Sequence, residues 1–351
     1  MNRDSRGADR QIPLIVGHRG ACGYRPEHTR ASYLLAARLG ADFLEPDLVM
    51  TGDGQLICRH EPELSRTTDV AARAEFAARR TTKTVGGQRT TGWFAEDFTL
   101  AEVQTLWATE RFPALRPSNS IYEGRLRVAA FEDLLQVRAQ VSRELGREVG
   151  VSVELKDPSR YRSMGMDLEG AVLDALQRHG LDGQRAPVYL QSFELHSLIR
   201  LREEFAFARP LVYLLENGGV PPGFGASADS RTYADLLSPP GLRLLATWVD
   251  GIGPGKQRIF PRRSDGTLGM PTRLVQDAHA AGLRVDVWTF RAENCFLAED
   301  LRRSGRDADW GDILGEMRRF LRAGVDALIC DQPDVAVLAR DEVLARLTAS
   351  Y

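Results

Sequence analysis

Polar residues stand where short apolar runs stop, and together they form a set able to handle a charged substrate. Reading those points along the chain gives His18 with Arg19, Glu45 with Asp47, Glu154 with Lys156, Gln191, Trp288 and Asp331. Glu45 and Asp47 lie two apart, so the period of a strand places both carboxylates on one face. Crowded carboxylates repel unless a cation lies between them, and hard oxygen ligands suit Mg²⁺ or Ca²⁺, which keep waters and take phosphate oxygens. Glu154, at the end of the next run, could complete that ligand set. A salt bridge from Glu45 or Asp47 to a nearby arginine accounts for those two residues equally well. His18 and His60 are two of six histidines. Imidazole transfers protons near neutral pH, and a pair flanking a phosphorus atom could act as base and acid. A lone histidine is more often structural; two at the rim that carries the carboxylates shift the balance to catalysis. Arg19 and Lys156 supply local positive charge in a chain whose net charge is -2.

These residues need a scaffold that brings strand ends together. Apolar runs rich in β-formers at 13–17, 42–48, 149–155, 187–191, 210–215, 244–249, 283–289 and 325–330 predict eight strands. Helix-like segments at 28–39, 131–145, 167–179, 194–204, 231–237, 272–281, 310–322 and 335–347 alternate with them. Gly40, Gly180, Gly282 and Gly324 each sit between a helix and the next strand, as helix-ending glycines do. Eight such units predict an α/β fold of the TIM type, a closed (β/α)8 barrel, forming one domain over 1–351. Catalytic groups in that fold come from the C-terminal strand ends. Two stretches break the rhythm. Residues 61–127 separate the second strand from its helix and are too long for an ordinary connection, which predicts an inserted cap segment. Residues 216–271 are rich in Gly, Pro and Ser, and both stretches are expected over the C-terminal rim.

At this point the residues resemble a family. The run HRGACGYRPEHT over 18–29 is similar to the opening motif of glycerophosphodiester phosphodiesterases. ADFLEPDLVMTGDG over 41–54, followed by RHEP over 59–62, resembles that family's second block. VELK over 153–156 and DVWT over 286–289 look like its later strand-end motifs, and GWFAEDF over 92–98 looks like the insert of its bacterial, often periplasmic, subgroup. The resemblance implies hydrolysis of a small-molecule glycerophosphodiester to sn-glycerol 3-phosphate and an alcohol, with a cyclic phosphate on the path. It implies one divalent cation, Ca²⁺ or Mg²⁺, on Glu45, Asp47 and Glu154. His18 and His60 would be general acid and base, with Arg19 and Lys156 on phosphate. Glu27 would buttress the site, Gln191 would line it, and Trp288 would pack against the glycerol. His28, at the start of the first helix, is expected to tolerate change better than His60.

Composition narrows the alternatives. With 43% hydrophobic and 27% charged residues and a near-balanced charge, nothing argues for general attraction to nucleic acid or an anionic membrane. No apolar run has the length of a membrane span, and the first residues, MNRDSRGADRQ, lack the apolar stretch of a signal peptide. The sequence as written is expected to be cytoplasmic, whereas the subgroup resemblance implies export. Cys22, Cys58, Cys295 and Cys330 are widely spaced and read as free thiols. The run GIGPGKQ at 251–257 lacks the spacing of a phosphate loop and is read as a rim loop. His179, His196 and His279 are read as surface or packing residues on outer helices, and Trp93, Trp107 and Trp310 as packing anchors. Barrel amidohydrolases need an H-x-H pair, absent here. Retaining glycosidases commonly place carboxylates where Gln191 and Trp288 stand. A sphingomyelinase D-like phospholipase D, which uses the same His, Glu and Asp set, and a non-catalytic glycerophosphodiester-binding protein are the remaining rivals.

Overall fold

The computed structural model describes residues 12–223 and 231–348. Its strands are Leu14–His18 (β1), Phe43–Glu45 (β2), Asp47–Met50 (β3), Leu56–Cys58 (β4), Thr81–Val85 (β5), Gln88–Gly92 (β6), Gly150–Leu155 (β7), Val188–Ser192 (β8), Leu211–Leu215 (β9), Gly251–Pro254 (β10), Arg284–Phe290 (β11) and Ala327–Cys330 (β12). Parallel pairing runs from β1 through β2, β7, β8, β9, β10, β11 and β12 and returns to β1, where Leu14 pairs with Ala327. The predicted closed barrel of eight parallel strands is therefore present.

The strands are buried on both faces, as parallel strands must be. Ile15, Leu44, Val151, Val153, Leu190 and Leu211 face the helices in the large outer core. Inside the barrel, Val16, Ala327 and Ile329 pack with Phe43 and Trp288, and Tyr189, Val212 and Leu214 pack with Phe43 and Phe193. The helix expected at 131–145 is Phe131–Leu145, and the one expected at 167–179 is Leu168–Arg178, capped by Asp167 accepting from Gly170 N. Ile313–Ala323 ends at Gly324, whose φ of 92° is open to glycine at little steric cost.

Strand six departs from expectation. Residues 244–249 are not a strand; Pro239–Leu245 is a helix, started by Ser238 accepting from Gly241 N and by prolines in its first turn. The strand is β10, Gly-Ile-Gly-Pro, inside the run read from sequence as a rim loop. Its glycines answer to close packing: a Cβ on Gly251 would lie 2.3 Å from Arg284 Cγ, and one on Gly253 would lie 2.4 Å from Leu214 Cδ2. Interior crowding thus selected residues of weak β propensity over the leucine-rich run before them.

Strand two is broken at Pro46. β2 lies between β1 and β7, whereas β3 continues on β7 and pairs antiparallel with β4. Pro46 has no N–H for the ladder, but its carbonyl accepts from Glu154 N at 2.9 Å. That bond and the Asp47–Glu154 register hold the broken strand against β7.

Between β4 and the helix Phe131–Leu145, β5 and β6 form a hairpin turned by Gly86 and Gly87, both at positive φ. Trp93, Phe94, Phe98, Val103 and Leu106 are buried beneath it, and Trp93 Nε1 donates to Phe76 O at 2.7 Å. Residues 61, 66, 111 and 112 of this connection reach the barrel mouth.

Candidate active site

A cavity of about 710 Å³ opens at the C-terminal mouth, within the size usual for small-molecule sites. His18, Arg19, Glu45, His60, Glu154, Lys156 and Trp288 line it. Asp47, Gln191 and Glu27 stand behind that wall, all buried. All ten residues given a role from sequence are therefore gathered at one end of the barrel, though only seven face the cavity.

The loop after β1 explains how four of them converge. Arg19 and His28 adopt left-handed backbone (φ 54° and 55°), uncommon for residues with side chains. Gly20 lets the loop press on the first helix, because a Cβ there would meet Ser32 Oγ at 2.3 Å. Thr29 caps that helix by accepting from Ser32 N. The tight path turns Arg19 towards Asp47 Oδ2 (3.1 Å) and towards Glu27 Oε2 (3.1 Å).

Glu45, Asp47 and Glu154 bring one oxygen each within 4.8 Å of one another. Gln191 Nε2 donates to Glu45 Oε1 (2.7 Å) and Lys156 Nζ to Glu154 Oε1 (2.6 Å). Glu45 Oε2 is buried and has no hydrogen-bond partner. Burial and the charge of Asp47 push the Glu45 carboxyl above its ordinary range, and burial raises Glu154 further than Lys156 can offset. Asp47 is held well below its range because Lys156, Arg19 and His28 outweigh burial. Three hard oxygen donors, with Glu45 orphaned at Oε2 and both glutamates driven towards neutrality, fit a divalent cation. A second group, His18, Cys22 and Asp331, also lies within reach of a metal. There Arg116 and Arg291 already match the charge of Asp331, so that group does not call for one.

Each histidine donates its Nδ1 proton to a carboxylate: His18 to Asp331 Oδ1 at 2.7 Å and His60 to Glu61 Oε1 at 2.9 Å. That tautomer leaves Nε2 of each ring as the free nitrogen at the cavity. His18 Nε2 lies 3.9 Å from Glu45 Oε2. Burial and Arg19 lower His18 to about 4, and partial burial, with Arg19 and Lys156, lowers His60 to about 3. Both rings are neutral at pH 7 before substrate arrives.

Sequence reading missed several participants. Asp331 was visible as a strand-end residue without a role. Glu61 stood in the RHEP run without a role, Arg111 and Arg116 carried no motif, and Arg116 lies 215 residues from Asp331, which its Nη2 reaches at 2.5 Å. His28 precedes the first helix, whose first residue is Arg30, and its ring is buried. Its Nε2 donates to Asp47 Oδ2 (3.0 Å) while its Nδ1 is 2.7 Å from the Tyr33 hydroxyl. A residue read as the tolerant start of a helix thus orients one of the three clustered carboxylates.

A barrel whose C-terminal mouth gathers histidines, carboxylates and cations around a cavity defines the class as a barrel enzyme. The chain belongs to the glycerophosphoryl diester phosphodiesterase family, whose model matches residues 18–335. It is 33% identical over 297 residues to a glycerophosphodiester phosphodiesterase of Arabidopsis thaliana, spanning 81% of this chain and 76% of that one. A glycerophosphodiester phosphodiesterase of Treponema pallidum is 30% identical over 347 residues, 92% of this chain and 90% of its own. Among solved structures, an Oleispira antarctica phosphodiesterase in complex with the product sn-glycerol-3-phosphate shares the fold at a TM-score of 0.60 and 19% identity, covering 94% and 97% of the two chains. A glycerophosphodiester phosphodiesterase of Agrobacterium tumefaciens does so at 0.53 and 20%, covering 93% and 99%.

Proposed function

We propose that this protein hydrolyses glycerophosphodiesters to sn-glycerol 3-phosphate and an alcohol, with His18 and His60 as the proton-transfer pair. The observation that carries the reading is the paired arrangement: two imidazoles, each anchored at Nδ1, present free Nε2 atoms to a cavity lined by Glu45 and Glu154, with Asp47 clustered behind them. Glu45, Asp47 and Glu154 would hold Ca²⁺ or Mg²⁺. Bound there, such an ion supplies positive charge against the phosphoryl oxygens.

Arg19 and Lys156 orient the phosphodiester, and its negative charge offsets the cations that keep the histidines neutral. The substrate hydroxyl beside the phosphoryl-bearing oxygen attacks phosphorus. One histidine takes that hydroxyl's proton at Nε2, and the other, protonated from solvent at Nε2 once the phosphodiester is bound, gives that proton to the departing alcohol. The resulting cyclic 1,2-phosphate is opened by water with the two roles exchanged. Attack from within the substrate benefits from an effective molarity of about 10⁵ M or more. Trp288, held by its Nε1 donating to Gly253 O at 2.7 Å and stacked edge-on with Phe193, offers an apolar face to the glycerol.

The test is release of glycerol 3-phosphate from glycerophosphocholine and from an analogue lacking only the 2-hydroxyl, both at saturating metal. The reading expects turnover of the first and almost none of the second. Similar rates would make water the nucleophile and remove the cyclic intermediate.

A further inference from the structure

Two arginines five residues apart in the 61–127 connection end on different histidines. Arg111 Nη1 and Nη2 donate to both oxygens of Glu61 at 2.7 Å, and Glu61 holds His60 Nδ1. Arg116 Nη2 donates to Asp331 Oδ2 at 2.5 Å, and Asp331 holds His18 Nδ1. Each arginine is also locked from behind. Arg111 forks onto Glu27 with two bonds of 2.6 Å, and Arg116 Nε donates to Glu293 Oε1 at 2.6 Å and Nη1 to the Cys22 carbonyl at 2.8 Å. Both guanidinium groups are nearly inaccessible to solvent (6% and 4%), so these are desolvated, bidentate-type contacts rather than surface pairs.

We propose that Arg111 and Arg116 are positioning residues: each fixes, through one carboxylate, the orientation and tautomer of one of the two histidines. The connection between β4 and the helix Phe131–Leu145 would then assemble the proton-transfer pair as well as cover the cavity. This rests on the reading above that His18 and His60 transfer protons. The physical reasoning is that an imidazole free to rotate presents Nε2 correctly only part of the time. A carboxylate that is itself free to rotate cannot hold it; a fixed guanidinium removes that freedom. Arg111 acts on the half-open ring, whose side chain is 34% exposed, and Arg116 on the closed one, 8% exposed.

The test uses the full chain at saturating metal with two substrates, glycerophosphocholine and the 4-nitrophenyl ester of glycerol 3-phosphate. Nitrophenolate leaves without a proton, so the histidine that protonates the alcohol becomes dispensable for the first step, and the second substrate is read as the pre-steady-state release of nitrophenolate, before water opens the cyclic phosphate. Arg111→Ala and Arg116→Ala are measured beside His60→Ala and His18→Ala. With glycerophosphocholine each arginine variant should lose roughly 10–100-fold in kcat while KM moves little. On the nitrophenyl ester, the arginine variant attached to the acid histidine should recover together with that histidine's variant, and the other pair should not. Free guanidinium ion at low millimolar concentration should restore part of the loss. If Arg116→Ala does not fold, Asp331→Asn takes its place and should show the same pattern; Glu61→Gln serves likewise for Arg111. The inference is overturned if the arginine variants keep near-normal kcat while both histidine variants lose it. It is equally overturned if both arginine variants lose rate to the same degree on both substrates. If the histidine variants themselves keep turnover, the acid–base reading fails instead.

Discussion

The two sides of the barrel mouth are built differently. On the side of β1, β2, β3, β7 and β8, strand ends carry His18, Arg19, Glu45, Asp47, Glu154, Lys156 and Gln191, nearly all buried and bonded to one another. On the side of β9, β10 and β11, the mouth is lined by Leu214, Gly255 and Trp288 and by the partly buried Lys256 and Arg291, whose charges Glu316 (2.7 Å) and Asp331 (3.2 Å) already match. One side concentrates charge that its own members do not balance; the other supplies shape. Changes on the first side should therefore alter chemistry, and changes on the second should alter binding and stability.

The largest effects belong to the proton-transfer pair. His18→Ala and His60→Ala should each reduce kcat by roughly 10²–10⁴ while the fold survives, checked by turnover at saturating substrate beside far-UV circular dichroism. Near-normal turnover by either would break the division between the sides. His28→Ala comes next, because it removes the buried donor to Asp47. A metal affinity loss of roughly 10–100-fold is expected, read by titrating metal against turnover; normal affinity would return His28 to the tolerant role its position in sequence suggests.

Across the mouth the signature changes. Trp288→Ala should raise KM roughly tenfold, the worth of about 1.4 kcal/mol, and leave kcat nearly intact. A kcat effect as large as that of the histidines would place chemistry on the wrong side. The smallest effect on activity should come from Gly251→Ala, whose new Cβ would lie 2.3 Å from Arg284 Cγ and 3.1 Å from the Arg284 carbonyl. Overpacking of this kind costs about 1–3 kcal/mol of stability. It should lower the melting temperature without changing turnover per folded molecule.

The same contrast explains what the sequence made legible. On the charged side, polar residues interrupt apolar runs, so His18, Glu45, Glu154 and Gln191 stand out at strand ends, and the eight-unit alternation leads to the barrel. On the other side the sixth strand is Gly-Ile-Gly-Pro, chosen for the room it leaves to Leu214 and Arg284, and its pattern resembles a loop. The run 244–249 looks like a strand, but its leucines belong to the helix Pro239–Leu245, whose start is signalled by Ser238 and two prolines. The spacing of Glu45 and Asp47 was readable, whereas the break at Pro46 between them was not. Long-range partners left the least trace. Arg111 and Arg116 sit in an arginine-rich stretch where nothing local marks them out, and only the folded chain brings them to Glu61 and Asp331.

The central claim is that Glu45, Asp47 and Glu154 are a set of carboxylates able to hold one divalent cation. The most direct measurement is titration of metal-stripped protein with Ca²⁺ or Mg²⁺, following bound ion and glycerol 3-phosphate release in the same samples, for the natural chain and for Asp47→Asn. The account predicts no turnover in EDTA, turnover rising in step with one bound ion per chain, and both curves moved together to higher metal by the substitution. Full turnover in EDTA, with no metal found by elemental analysis, would contradict it.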